Sequence, residues 1–570
     1  MITSFLRKRK SLIILPCLFF LYQSISLAQN AGTLITGKNG MVVSASDEAS
    51  KAGVEILKKG GNAIDAAVAV GFTLAVTYPS AGNIGGGMYM VIRLANGKTT
   101  TIDAREAAPN AAHRDMYLDP VGKFLSEKSL IGPLAAGVPG TVDGLLKALS
   151  LHGKLKREVV MKPAITLAEN GFPLHKRAAA LFGSNLKNFE RFPSSMNVFS
   201  KNGVAYAEKE IWKQPDLAQT LKLIREQGRD GFYKGSVAEK IVAEMKRGGG
   251  LITLEDLRRY VSLVYAPVIG KYKGYEVISV APSSSGGISL VQLLNILEQY
   301  DLKKWGHNSF EAVQHITEAI KYVYADRAKY LGDPDFTKVP MAWLTSKEYA
   351  ASIRAKIIDG KATPSAEIQA GVAPAEGKHT THYSVVDKWG NAVSVTTTIN
   401  SVFGSKCVVD GAGFLLNNEM DDFSAKPGVA NQYGLIGSEA NAIAPGKRML
   451  SSMTPTILTK DGKLFLLVGT PGGSMIITNV LQTILNVIEF GMNAADAVKA
   501  KRFHHQWLPD ELEFEKDAFT PDTKKRLHVA GYDLHEVGPI CRVEMITIDA
   551  KKKILSGCSD PRGYGSAIGY

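Results

Sequence analysis

Thr380 and Thr381 stand at a junction. Residues 362–378 before them are poor in large apolar side chains and hold two prolines and two glycines. That composition predicts an exposed, mobile loop. Tyr383-Ser384-Val385-Val386 after them reads as a strand. A threonine hydroxyl is a poor nucleophile until a base lies within hydrogen-bond reach. No Gly-x-Ser-x-Gly elbow occurs in the chain, and nothing beside Thr380 resembles a Ser-His-Asp arrangement. One solution uses the threonine's own α-amine, whose pKa of about 7.7–8.0 makes it a usable base near neutrality. It requires Thr380 to be a chain N-terminus, so the chain must first be cut. A loop running into a strand that begins with Thr has the shape self-cleavage needs.

Spacing adds candidates around that hydroxyl. Residues 392–400 read as a second strand after Asp387-Lys388-Trp389-Gly390-Asn391. A three-residue loop with Gly390 left-handed closes the pair as a bulged hairpin. Centred on Trp389, it sets Thr398 opposite Thr380, with Thr396, Thr398 and Asn400 on one face. Threonine is also simply a good strand former. Gly472-Gly473 lies between a strand and a helix, where amides can point at a developing oxyanion or merely make a tight turn. Ser474 is the expected N-cap of that helix. Glu419 and Asp422, in Asn417-Asn418-Glu419-Met420-Asp421-Asp422-Phe423, can hold an ammonium group or form a solvated acidic turn. Arg105 can bind a carboxylate bidentately or make a surface ion pair. Ser451-Ser452 alone read as loop or cap residues. His504-His505 are assigned structural roles, since adjacent histidines without a carboxylate partner are a weak metal signal.

The elements that must position these groups follow from pattern. Residues 47–76 are helical and Ala-rich, broken by Lys59-Gly60-Gly61-Asn62 into two helices. A glycine-rich run, residues 79–87, leads to strands over 88–94 and 99–103. Residues 140–330 read as mainly helical, interrupted near 277–280 and 282–287. A hairpin over 456–468 precedes Gly469 and an apolar helix over 475–490. No solenoid or propeller period appears, and helical layers around a β core are the expected architecture.

Composition narrows the class. At 570 residues, 45% hydrophobic and 21% charged, the chain is globular. Arg7 to Lys10 form a basic stretch, a 12-residue apolar run follows to Tyr22, and Ser26-Leu27-Ala28 offers a cleavage site. Residues 1–28 are therefore expected to be a secretory signal, giving a periplasmic or secreted protein, since the run is short for a bilayer span. Losing the four basic residues lowers the net charge from +13 to +9. The remaining Lys and Arg are scattered among acids, which excludes a nucleic-acid stripe. Cys407, Cys541 and Cys558 permit at most one internal disulfide.

Together these segments resemble the γ-glutamyltranspeptidases, members of the N-terminal nucleophile hydrolases. The likeness covers essentially all of the mature chain. It rests on Thr380-Thr381-His382-Tyr383-Ser384-Val385-Val386-Asp387, on residues 416–423, on Ser451-Ser452-Met453-Thr454-Pro455-Thr456 and on Pro471-Gly472-Gly473-Ser474. Asp103-Ala104-Arg105-Glu106 and Arg502-Phe503-His504-His505-Gln506-Trp507 also match. The resemblance implies a four-layer αββα fold. It implies self-cleavage between His379 and Thr380, giving a heterodimer of a large subunit, 29–379, and a small subunit, 380–570. It implies a γ-glutamyl-Thr380 acyl-enzyme, made from glutathione or related γ-glutamyl compounds and resolved by water or by amino acid or peptide acceptors. By the same likeness Gly472 and Gly473 form the oxyanion hole and Thr398 assists the nucleophile. Arg105, Ser451 and Ser452 bind the glutamyl carboxylate; Asn400, Glu419 and Asp422 bind its amine. Tyr433, in a lid loop over 427–438, shields the pocket. No cofactor or metal is implied. The competing family reading is a glutaryl acylase of the cephalosporin acylase kind, whose substrate lacks the α-amine.

Overall fold

The computed structural model describes residues 30–368, 380–424 and 439–570. The expected signal, His379, most of the 362–378 loop, and the lid with Tyr433 lie outside the described residues.

Two seven-stranded sheets form the centre. In the first, strands run in the order Ser566–Gly569, Gly40–Ser44, Thr380–Asp387, Ala392–Thr398, Gly87–Arg93, Thr99–Ala104, Leu263–Tyr265. In the second the order is Ile35–Gly37, Ile554–Ser559, Glu544–Asp549, Lys463–Gly469, Thr456–Lys460, Tyr275–Ser279, Val268–Tyr272. Thr380–Asp387 and Ala392–Thr398 pack onto Lys463–Gly469, so the sheets are stacked. Helices Asp47–Lys58 and Ala63–Thr77 cover the outer face of the first sheet; Gly286–Leu297 and Met475–Ile488 cover the second. The fold is an α+β, four-layer αββα sandwich. The interruption expected at 277–280 falls on the strand Tyr275–Ser279, but the mainly helical reading of 140–330 missed its neighbours in the two central sheets, Leu263–Tyr265 and Val268–Tyr272. Each is three to five residues long, too short for periodicity to separate from a loop.

Strand alternation divides the central layers cleanly. Tyr383, Val385, Val393 and Val395 join the core shared with the Ala63–Thr77 helix. Val386 and Ala392 face the second sheet instead. By the same period of two, Thr380, His382 and Ser384 lie on the sheet–sheet face. Their cross-strand partners are Thr398, Thr396 and Ser394. A strip of hydroxyls thus runs through an otherwise apolar interlayer, and it is tolerated because it is hydrogen-bonded. His382 Nδ1 meets Thr396 Oγ1 at 2.9 Å, and Nε2 meets Ser384 Oγ at 3.1 Å. The imidazole lies against Gly469, where a Cβ would come within 2.3 Å of the ring.

The hairpin turn is as expected. Gly390 has φ +90°. Asp387 organises it: Oδ1 accepts from the amides of Trp389 and Asn391, and Oδ2 from Asn391 Nδ2. Oδ2 also accepts from Ala63 N, the first residue of the Ala63–Thr77 helix, at 2.9 Å. One carboxylate therefore ties the turn to a helix N-terminus, where negative charge is favoured.

Part of the segment expected to be an exposed loop is anchored. Ala362 and Ile368 are buried. Ala362 N donates to Ala530 O, Ser365 N to Asp510 Oδ2, and Trp507 Nε1 to Ser365 O.

Burial holds His382 neutral and pulls its pKa down to about 3. An unfolded histidine titrates near 6.5. Between these values the unfolded chain binds the extra proton, so His382's contribution is complete above about pH 6.5 and lost as pH falls toward 3. The melting-temperature gap between wild type and His382→Asn should therefore be widest near about pH 7.5 and narrow steadily below about pH 6. Thermal scans across that range check it; a gap independent of pH contradicts it.

Candidate active site

Thr380 opens its strand and is almost fully buried. It pairs with Thr398 in the antiparallel register, as the hairpin spacing requires. Thr380 Oγ1 donates toward Thr398 Oγ1 across 3.5 Å, a long contact typical of a site without substrate. Thr398 Oγ1 also accepts from Asn400 N at 2.8 Å.

The strand ends at Thr398 rather than running on to residue 400. Asn400 takes φ +68°, so its side chain is aimed by a turn and not by strand alternation. Asparagine tolerates that region better than most residues. Asn400 Nδ2 donates to Asn418 O at 3.0 Å, while its buried Oδ1 has no donor among the described residues. The Asn400–Asn418 bond joins the nucleophile's surroundings to the segment bearing Glu419 and Asp422.

Asn83 has a role that the sequence did not reveal. Its Nδ2 donates to Thr398 O at 2.8 Å and to Thr397 Oγ1 at 3.1 Å. Its Oδ1 accepts from Gly86 N and Thr141 Oγ1. A Cβ at Gly86 would stand 2.1 Å from Thr398 O. The glycine-rich run over 79–87 was the available signal: it lets a loop press directly on the strand opposite the nucleophile.

Gly472 and Gly473 have φ of +141° and +59°, conformations that favour glycine. Neither amide donates to a group among the described residues. Their carbonyls accept from Met475 N and Ile476 N, closing the start of the Met475–Ile488 helix. Ser474 makes no capping bond, contrary to expectation; its Oγ donates to Gln506 Oε1 at 2.6 Å. The backbone turn at the two glycines leaves the cap role unneeded.

Arg105 is buried in a ring of acceptors. Nη1 meets Glu419 Oε1 and Nη2 meets Asp422 Oδ2, both at 2.5 Å. Nε and Nη2 also donate to Met449 O and Leu450 O, each at 3.2 Å. The surface ion pair open in the sequence is thus excluded. Burial opposes Arg105's charge, but Glu419, Asp422 and Glu106 outweigh it and hold the pKa well above its usual value. Burial raises the pKa of the Glu106 carboxyl against the pull of Arg105. Glu419, Met420, Asp421 and Asp422 form a buried helical turn, not a solvated one.

Ser451 and Ser452 follow directly after the carbonyls that hold Arg105. Ser451 O accepts from Ser285 N at 2.7 Å and from Ser285 Oγ at 2.6 Å; Ser452 Oγ accepts from Arg327 Nη2 at 3.0 Å. Arg327, on the buried face of Phe310–Tyr330, also binds Ser285 Oγ. Nothing in the sequence singled it out. His504 contacts Thr478 Oγ1 and Gln506. His505 does have a carboxylate partner, Asp510, at 3.1 Å. Among the described residues no group of three or more His, Cys, Asp and Glu side chains is arranged to hold a metal.

Removing one member of a buried ion cluster strands the others, at a cost of about 3–5 kcal/mol. Arg105→Met should therefore lower the melting temperature or prevent recovery of folded chain. Arg105→Met combined with Glu419→Gln and Asp422→Asn should regain much of the loss in the same thermal scans. Equal stability of wild type and Arg105→Met would contradict this picture of the cluster.

The model of the Gamma-glutamyltranspeptidase family matches residues 49–570. The glutathione hydrolase proenzyme of Escherichia coli (strain K12) is 52% identical over 533 residues, covering 93% of this chain and 91% of that one. The crystal structure of Helicobacter pylori gamma-glutamyltranspeptidase aligns with TM-score 0.56 and 45% identity, covering 57% of this chain and 93% of that chain. The crystal structure of a cephalosporin acylase from Bacillus halodurans aligns with TM-score 0.82 and 27% identity, over 94% and 97% of the two chains. The sandwich, the Thr380–Thr398 pair and these similarities lead to one assignment: this chain belongs to the γ-glutamyltranspeptidase family.

Proposed function

We propose that the chain is a γ-glutamyltransferase and glutathione hydrolase that matures by cutting itself between His379 and Thr380. The observation that carries this reading is the Thr380–Thr398 register beside a buried Arg105–Glu419–Asp422 cluster. Loss of residues 1–28 as a secretory signal would leave a large subunit, 29–379, and a small subunit, 380–570, in the periplasm or outside the cell. Thr380–Asp387 lies between Gly40–Ser44 and Ala392–Thr398. Each sheet holds strands from both proposed subunits, so cleavage would not release them from one another.

In maturation, Thr380 Oγ attacks the His379 carbonyl carbon, and the C–N bond breaks as nitrogen gains a proton. That shift frees the Thr380 α-amine; water then hydrolyses the resulting ester, releasing the Thr380 hydroxyl and leaving His379 with a carboxylate. In turnover that amine takes the Oγ proton while Oγ bonds to the γ-carbonyl carbon. The amides of Gly472 and Gly473 receive the oxyanion. Collapse breaks the amide C–N bond, and the departing amine takes the proton. Water or an acceptor amine then attacks the ester, losing a proton to the α-amine as Thr380 Oγ leaves and is reprotonated.

The head group is recognised by exchange of ion pairs. An α-amino acid carboxylate would take over Arg105, assisted by Ser451 and Ser452. Its ammonium would take over Glu419 and Asp422 and donate to Asn400 Oδ1. Each broken pair is thereby replaced with the same signs. Tyr433 is proposed to shield the pocket.

A glutaryl substrate is the competing reading, favoured by the likeness to the cephalosporin acylase. The sequence-based objection to it was that Glu419 and Asp422 would be buried without a partner. That objection fails, because Arg105 pairs with both. Asn400 Oδ1 supplies a different one: it has no donor among the described residues, and a substrate amine would supply one where a glutaryl chain would not.

Wild type should release glutamate from glutathione at least about tenfold faster than glutarate from a glutaryl amide, since a buried charged hydrogen bond contributes about 1.5–3 kcal/mol. Preference for the glutaryl amide would overturn the assignment. Thr380→Ala should abolish turnover and run as a single full-length band on a denaturing gel. Two bands from that variant would place the cut in other hands.

A further inference from the structure

The run Pro282-Ser283-Ser284-Ser285-Gly286-Gly287, which breaks the helical pattern, has no part in the chemistry above. The fold lays it against Ser451 and Ser452. Ser451 N donates to Ser283 O at 3.3 Å. Ser451 O accepts from both Ser285 N and Ser285 Oγ, and Ser284 Oγ donates to Met453 O at 2.7 Å. The two segments fit closely: a Cβ on Gly286 would stand 2.3 Å from Thr454 Oγ1. Ser283, Ser284, Ser285, Ser451, Ser452 and Arg327 are each at most 1% exposed. Protein groups, rather than bulk water, therefore set the direction of these hydroxyls.

Arg327, from the helix Phe310–Tyr330, reaches two of them. Its Nε donates to Ser285 Oγ at 2.9 Å and its Nη2 to Ser452 Oγ at 3.0 Å. A hydroxyl has one proton and two lone pairs, and an arginine can only donate. Ser285 Oγ thus accepts from Arg327 and directs its own proton to Ser451 O. Ser452 Oγ accepts from Arg327, which turns its proton away from the guanidinium. Ser451 Oγ is turned in the same way, because it accepts from Met453 N at 3.1 Å. Both hydroxyls are left with their protons to point at an acceptor, the polarity an anionic ligand requires.

We propose that Arg327 is a positioning residue for recognition of the glutamyl α-carboxylate. Through Ser285 it fixes the main chain at Ser451, and through Ser452 Oγ it aims a hydroxyl proton at the carboxylate. The inference rests on the γ-glutamyl reading above. Arg327 touches no reacting atom and takes no proton. Its effect is specific to a ligand group that only accepts. A carboxamide carries both a donor and an acceptor, so it can meet Ser452 whichever way the hydroxyl points; a carboxylate cannot. The planar guanidinium matters as well, since two N–H groups in fixed geometry serve two hydroxyls at once.

The test compares γ-glutamyl-p-nitroanilide with its α-carboxamide, which shares the scissile bond and the leaving group. In wild type, kcat/KM should favour the acid by more than about tenfold, the scale of a charged hydrogen bond. Arg327→Gln should lower kcat/KM on the acid about tenfold and leave the carboxamide nearly unchanged, whereas general damage to the fold lowers both alike. Arg327→Lys, able to reach one hydroxyl but not both, should fall between. In a Ser452→Ala background, Arg327→Gln should cost clearly less than it does in wild type; fully additive losses contradict the proposal. Ser285→Ala removes only the hydroxyl between Arg327 and Ser451 O, and should show a smaller loss confined to the acid. It decides the matter should Arg327→Gln not fold. An acid-to-carboxamide ratio equal to that of wild type in either variant overturns the proposal alone. If wild type shows no preference for the acid, or does not cleave it, the γ-glutamyl reading itself fails and this inference falls with it.

Discussion

The register of one hairpin sets everything else at this site. Thr380 reaches the sheet–sheet face, opposite Thr398, only because seven consecutive pairs run from the Asp387–Asn391 turn to the strand's first residue. A slip of one residue would turn Thr380 toward the helical layer and bring Thr381 inward. Several interactions guard against that slip. Asp387 pins the turn and a helix N-terminus together, Gly390 supplies the left-handed position, and Asn83 holds the far end at Thr398. His382, seated on Gly469, fixes the strand against the second sheet midway.

Around this rigid centre, the groups proposed to recognise the substrate are paired with one another. Arg105 is matched by Glu419 and Asp422, with Glu106 nearby. Such a cluster need not unfold or rehydrate when empty. In the proposed function it would favour a ligand bearing both charges, which can break these pairs and replace them in kind. Asn400 Oδ1, without a donor among the described residues, is proposed to receive the amine of the same ligand. A short path runs from Thr398 through Asn400 and Asn418 to Glu419, joining the partner of Thr380 to the proposed head-group site.

The hairpin and its register were legible because they depend on local facts: strand period, loop length and a glycine at one position. The glycine turn at 472–473 and the paired helices near the N-terminus were legible for the same reason. What stayed hidden depends on long-range contact. The Arg105–Glu419 and Arg105–Asp422 bonds join residues 314 and 317 positions apart, and no local pattern tells an arginine for substrate from an arginine held by carboxylates. Asn83 and Arg327 act on Thr398 and Ser452 from distant elements. Ser474 misled because its position matched a cap, while the glycine turn had already closed the helix. Asn400 lies just past the strand end, where extrapolated alternation gives the wrong geometry for the side chain.

The central claim is that Thr380 becomes an N-terminal nucleophile. Its most direct measurement is mass spectrometry of the purified protein, acid-quenched during turnover of a γ-glutamyl donor. The account requires a small chain beginning Thr-Thr-His-Tyr, with a glutamyl ester on the Thr380 hydroxyl. A small chain with a different first residue, or an adduct on any other side chain, would contradict it.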